Sequence, residues 1–151
     1  MFDVFLKGRD RSIFIDAVEP FLDRHFERMI DLQMASFLTP LLPNLLLLSS
    51  SPDFLVGPIA RRLNIKNWRG TEYAVDKENI FCKISSLIEG REKLRLARDF
   101  AQKLFLTHEK IAAYSDSDDD LPLLEWVGQP FAVRPNRNLL NAALKRGWKV
   151  I

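Results

Sequence analysis

At 151 residues, 47% of them hydrophobic and 28% charged, the chain has the size of one domain and enough apolar content to bury a core. Its 22 basic against 20 acidic residues leave a net charge of +2, too balanced to single out nucleic acid or an anionic membrane as the main partner. The lone cysteine, Cys82, excludes an intramolecular disulfide, and the two distant histidines, His25 and His108, give no zinc pattern.

Residues 13–30 predict an amphipathic helix. Phe14, Val18, Phe21, Leu22, Phe26, Met29 and Ile30 recur at steps of three and four. Ser12 is placed to cap it, and Pro20 predicts a kink or a break into two helices. A second apolar stretch runs to Leu38 before Pro40 and Pro43 punctuate it. The most apolar run, residues 41–48, is interrupted by Pro43 and Asn44 and is far shorter than the roughly 20 residues of a membrane span. With acidic Asp3 near the N-terminus and no signal-peptide pattern, the chain reads as cytoplasmic.

Residues 45–48, four leucines, predict a strand because helix-start residues come directly after them. Ser51 is a good N-cap, Pro52 suits a first helical position, and Asp53 favours the positive end of a helix dipole. Phe54, Leu55, Ile59 and Leu63 then repeat with helical spacing, with a distortion expected at Pro58. Residues 73–75 and 80–84 read as two short strands around a polar turn. From Glu92 onward, Leu94, Ala97, Ala101, Leu104 and Phe105 predict an amphipathic helix. A strand at 111–114 opens into an acidic loop, then a helix at 121–126, a strand at 131–133, a helix at 138–146 ended by Gly147, and a last strand at 148–151. Strands alternating with helices predict an α/β domain with a mostly parallel sheet covered on both faces.

Three features carry chemistry. The acidic loop places Asp116, Asp118, Asp119 and Asp120 between a strand and a helix, where open α/β sheets gather ligands. Clustered carboxylates repel unless compensated, and Mg²⁺ bound by one or two carboxylates, waters and a phosphate would suit them. A solvated turn capping the next helix explains the same residues equally well. An EF-hand does not, because Leu121 and Val127 stand where its glycine and bidentate glutamate belong. The second feature is the turn Ser49-Ser50-Ser51, a phosphate cradle or simply a helix cap. The third is Lys93, which opposes the dipole at a helix start or is an ordinary surface lysine.

In order and spacing these features resemble the haloacid dehalogenase superfamily, particularly its phosphoserine-phosphatase-like branch. Leu-Leu-Leu-Leu-Ser-Ser-Ser-Pro at 45–52 resembles the motif whose first serine, here Ser49, hydrogen-bonds the transferring phosphoryl group, with Ser50 beside it. Gly-Arg-Glu-Lys at 90–93 resembles the motif whose lysine neutralises phosphate and nucleophile. Tyr114 to Leu124 is similar to the metal motif, with Ser115 in place of its usual glycine. The resemblance implies a Rossmann-like three-layer core over residues 41–151, preceded by a helical cap segment at 1–40. It implies Mg²⁺ ligated by Asp116, with Asp120 supporting the metal or the lysine. The implied activity is Mg²⁺-dependent hydrolysis of a phosphate monoester, a phosphorylated small molecule, through an aspartyl phosphate. Arg24, Arg28, Phe21 and Phe26 are candidates to line the cap, or merely two faces of one helix.

The family's first motif, an apolar strand ending in Asp-x-Asp, has no counterpart ahead of the cap segment. Asp3, with Phe5 in the second place, is a candidate relic of it, with no strand ahead of it to hold the carboxylate. The expectation is therefore an incomplete core lacking a strand and the nucleophile, and so a truncated or inactive phosphatase. The alternative is a non-catalytic phosphate- or partner-binding module on this fold. A missing strand would leave sheet edges open, which predicts a homo-oligomer.

Overall fold

The computed structural model describes residues 2–151. The chain divides into two compact units, Met1–Ile88 and Glu89–Ile151.

The first unit begins with a short helix α1 (Phe2–Phe5), the long helix α2 (Arg11–Met29), α3 (Leu32–Leu38) and a 3-10 turn at Thr39–Asn44. Strand β1 (Leu46–Pro52), helix α4 (Asp53–Arg62) and strands β2 (Asn67–Val75) and β3 (Phe81–Ser86) complete it. β2 pairs parallel with β1 through its first half and antiparallel with β3 through its second. The core is aromatic. Phe81 lies 5.8 Å from the ring centroids of Phe14, Phe54 and Tyr73, and Tyr73 stacks on Phe2 at 5.4 Å. Val18, Leu22, Val56 and Ala60 fill the space between α2 and α4. Outside that seam, Arg62 reaches Glu19 and Asp23 at 2.6 Å each and lies over the Phe26 ring.

The structure departs from several local expectations. The cap of α2 is Asp10, not Ser12; its carboxylate accepts both the N–H and the hydroxyl of Ser12 at 2.8 Å. Pro20 does not break α2. It sits on the exposed face, where the Asp16 carbonyl that loses its donor is open to water. Ser51 does not cap α4, because β1 runs on through Pro52 and the Asp53 carboxylate accepts the Phe54 N–H at 2.8 Å. β2 starts six residues earlier than its apolar pattern suggested, since Asn67, Arg69 and Gly70 hide its parallel half.

The second unit holds α5 (Gly90–Lys103), β4 (Ala112–Ser115), α6 (Leu121–Trp126), β5 (Gln129–Ala132), α7 (Arg137–Arg146) and β6 (Lys149–Val150). Its sheet, in the order β4-β5-β6, is parallel throughout. Ala113, Leu124, Val127, Ala132, Leu139 and Ala143 form its core, with Trp126 and Trp148 packed against them. Phe105 departs from its expected place on the buried helix face. It lies past the end of α5 with φ 54° and is 95% exposed.

The architecture is the expected mixed α/β fold with mostly parallel pairing. Among the described residues no helix is long and apolar enough to cross a membrane.

Candidate active site

In the second unit, Lys93, Ser115 and Asp120 come together. Lys93 lies in the first turn of α5, and Asp120 is the residue from which α6 starts. The Lys93 ammonium donates to Asp120 Oδ2 at 2.9 Å and lies 2.8 Å from Oδ1. Their side chains are only 12% and 9% exposed. Ser115, at the end of β4, donates its hydroxyl to the same Oδ2 at 2.7 Å. Oδ1 is buried and, despite its short contact with Nζ, accepts no hydrogen bond. The ammonium 2.8 Å away compensates its charge all the same.

The rest of the acidic loop is differentiated. Asp118 accepts from the side-chain amides of Asn136 at 2.6 Å and Asn138 at 3.1 Å, which hold its carboxyl below the usual aspartate value. Asp119 accepts from the Ser117 hydroxyl at 3.1 Å. Asp116 is exposed, and its side chain makes no hydrogen bond or ion pair among the described residues. No group of three or more His, Cys, Asp and Glu side chains gathers as a metal cluster among the described residues. Asp116, whose carboxylate makes no hydrogen bond or ion pair among the described residues, and Asp120, whose Oδ1 has only the Lys93 ammonium beside it, are the loop's candidate oxygen donors for a cation. One or two carboxylates, with water and phosphate oxygens supplying the rest, is the usual donor set for Mg²⁺, so the residues present fit that ion.

Ser49 and Ser50 belong to the first unit, in β1. The Ser49 hydroxyl accepts the Ser51 N–H at 3.1 Å, so its own hydrogen remains free to donate. Ser50 is exposed. Asp3 does not sit at a strand end. It lies on α1 and pairs with Lys7 at 3.0 Å, largely exposed. Arg24 and Arg28 are exposed on α2, Phe21 is 43% exposed against His25, and Phe26 lies beneath Arg62.

Three contributors were not legible beforehand. Ser115 looked like a mild departure from glycine, yet its hydroxyl holds Asp120. Asn136 and Asn138, about twenty residues downstream of the loop, orient Asp118; only their amide chemistry next to a helix start hinted at a role.

A family model described as haloacid dehalogenase-like hydrolase matches residues 1–125. A protein of Mycobacterium tuberculosis named as a probable phosphatase is 34% identical over 108 residues, covering 72% of this chain and 38% of that protein. A phosphoserine phosphatase of the same species is 33% identical over 106 residues, covering 69% of this chain and 34% of its own length. The chain thus spans well under half of these curated relatives. Among solved structures, a Bordetella pertussis protein of unknown function superposes with a TM-score of 0.81 at 23% identity, covering 97% of this chain and 69% of its own.

Proposed function

This chain belongs to the haloacid dehalogenase-like hydrolases, and we propose that it handles the phosphate and the Mg²⁺ of a phosphate monoester hydrolase. The observation that carries this reading is the buried Lys93–Asp120 pair beside the exposed, unpaired carboxylate of Asp116 on the same loop. The phosphatase relatives support the same class of chemistry, with a phosphorylated small molecule as ligand.

In this reading the Ser49 hydroxyl donates to a phosphoryl oxygen, and Ser50 lies on the rim of the cradle. Lys93 carries three N–H donors, and Asp120 engages only part of them, so the ammonium can also neutralise phosphate. Asp120 fixes that lysine's position, and Ser115 fixes Asp120. Asp116 and Asp120 Oδ1 are the oxygens that would hold Mg²⁺. The ion, when bound, would polarise the phosphoryl oxygens and stabilise charge developing on them. Residues 1–40 are assigned to a helical cap segment, residues 41–151 to the α/β core, and the setting to the cytoplasm.

A second reading is favoured by a specific observation. Among the described residues, no apolar strand ahead of α2 ends in Asp-x-Asp, and Asp3 is held on a helix by Lys7. Asp118 has both oxygens engaged by asparagines and makes a poor substitute. Covalent catalysis needs an attacking carboxylate. This polypeptide alone is therefore expected to bind Mg²⁺ and phosphate weakly and to turn over little or no ester. Hydrolysis of a generic aryl phosphate by the purified chain, with and without Mg²⁺, is the test. Robust Mg²⁺-dependent turnover, abolished by both Asp116→Ala and Asp3→Ala, would promote Asp3 to nucleophile and sink the inactive reading. Turnover indifferent to Asp116→Ala would remove the metal assignment.

A further inference from the structure

We infer that Gly70 is a positioning residue for the phosphate-binding turn at Ser49; the inference rests on the reading of Ser49 given above. Two observations within the first unit meet at this glycine. The first is register. Leu48 stands opposite Arg69, and Pro52 stands opposite Thr71. Three residues of β1, Ser49, Ser50 and Ser51, therefore face the single residue Gly70 of β2. A bulge of this kind leaves part of its strand without ladder partners and bends it sharply, which re-aims its side chains. Here the bend lets the Ser49 hydroxyl turn back onto the Ser51 N–H at 3.1 Å.

The second observation is packing. Gly70 is buried, and a Cβ built on it would lie 2.8 Å from the Asp53 Cα, 3.0 Å from the Asp53 nitrogen and 3.0 Å from the Ser51 carbonyl oxygen. All three are backbone atoms of the turn and of the first residue of α4, and none can swing aside as a side-chain tip would. Any residue larger than glycine must push the Ser49–Asp53 segment off β2. The sheet itself is anchored elsewhere. Leu46 to Leu48 keep their pairing with Asn67 to Arg69, and the next residue, Thr71, is fully buried with its hydroxyl accepting the Ile88 N–H. The displacement thus falls on the turn rather than on the strand beneath it. Gly57 offers a matched contrast. A Cβ there would meet the Trp68 ring tip at 2.9 Å, a side chain that can rotate away without moving the turn.

The experiment compares the full-length wild type with Gly70→Ala, Gly57→Ala and Ser49→Ala. Backbone amide shifts of residues 49–54, Pro52 excepted, report the turn directly, and titration with inorganic phosphate in the presence of Mg²⁺ reports its function. Gly70→Ala is expected to move the 49–54 amides and to weaken phosphate at least tenfold, with circular dichroism and most other amides retained. Gly57→Ala is expected to lower the melting temperature while leaving the phosphate affinity within about twofold. Unchanged 49–54 amides in Gly70→Ala, or unchanged phosphate affinity, would overturn the inference. So would a Gly70→Ala chain that fails to fold, because a positioning role requires the fold to survive. If the wild type shows no phosphate-dependent shifts, or Ser49→Ala binds as well as wild type, the reading of Ser49 fails and the functional inference fails with it. The amide shifts, recorded without ligand, tell that failure apart from a glycine that does not shape the turn.

Discussion

The Lys93–Asp120 pair stakes a large free energy on a single contact. Both side chains are nearly buried, so removing one partner leaves the other charge stranded away from water. Lys93→Met is expected to destabilise the chain by about 3–5 kcal/mol in urea unfolding. The double variant Lys93→Met/Asp120→Leu should lose clearly less than the sum of the two single changes, because it strands no charge. Additive losses would show that the pair is not coupled. Ser115→Ala removes a donor to a charged acceptor and should cost about 1.5–3 kcal/mol. The half-buried neighbour Asp118 behaves differently. Asn136 and then Asn138 lower its folded value below that of the unfolded chain. Its contribution is therefore fully present above the ordinary aspartate value of about 3.9 and is lost as pH falls through the lower folded value. Asn136→Ala should raise the Asp118 titration midpoint seen by carboxyl NMR; an unmoved midpoint would contradict the assigned cause.

At the scale of elements, α4, α5 and α7 end in the same way. After each of them the chain turns through a left-handed residue, Asn64, Phe105 and Gly147, with φ of 56°, 54° and 67°. In each case the next N–H reaches back five residues, from Ile65 to Ala60, from Leu106 to Ala101, and from Trp148 to Ala143. This is the Schellman arrangement, and glycine or asparagine suits its turning position. Phe105 does not, and at 95% exposure it gains no burial in return. Phe105→Gly is expected to stabilise the chain by about 1 kcal/mol, and Gly147→Ala, with nothing within 4 Å of the new methyl, to destabilise it by a similar amount. Equal melting temperatures for all three chains would refute the strain at residue 105. The contrast also shows what was legible in the sequence. Gly147 announced the end of α7 because only its backbone mattered. Phe105 read as helical because periodicity sees hydrophobicity and not φ. Ser12 and Ser51 read as caps because their chemistry fits, yet Asp10 took the role for α2 and no side chain caps α4, where Ser51 lies within β1, through geometry that spacing does not encode.

For the whole molecule, the alternation of strands and helices was legible in the sequence, as were the placement of the acidic loop after β4 and the serine turn in β1. The parallel half of β2 was not, since Asn67-Trp68-Arg69-Gly70 lacks the apolar alternation that marks a strand. Its pairing comes from the partner strand, which no local window contains. The Lys93–Asp120 contact spans 27 residues and could be named from the resemblance, but its burial could not. One consequence of the two separate cores is optical. The sequence holds three tryptophans; Trp68 lies on β2 in the first unit, while Trp126 and Trp148 pack on the core of the second. Replacing Trp126 and Trp148 with phenylalanine leaves an emission that reports only the first unit, and Trp68→Phe leaves one that reports only the second. Denaturant curves from the two variants should have different midpoints, because each unit has its own core and stability. Coincident curves would show that the two cores melt as one, and the fluorimeter would then be reading a single cooperative chain from either end.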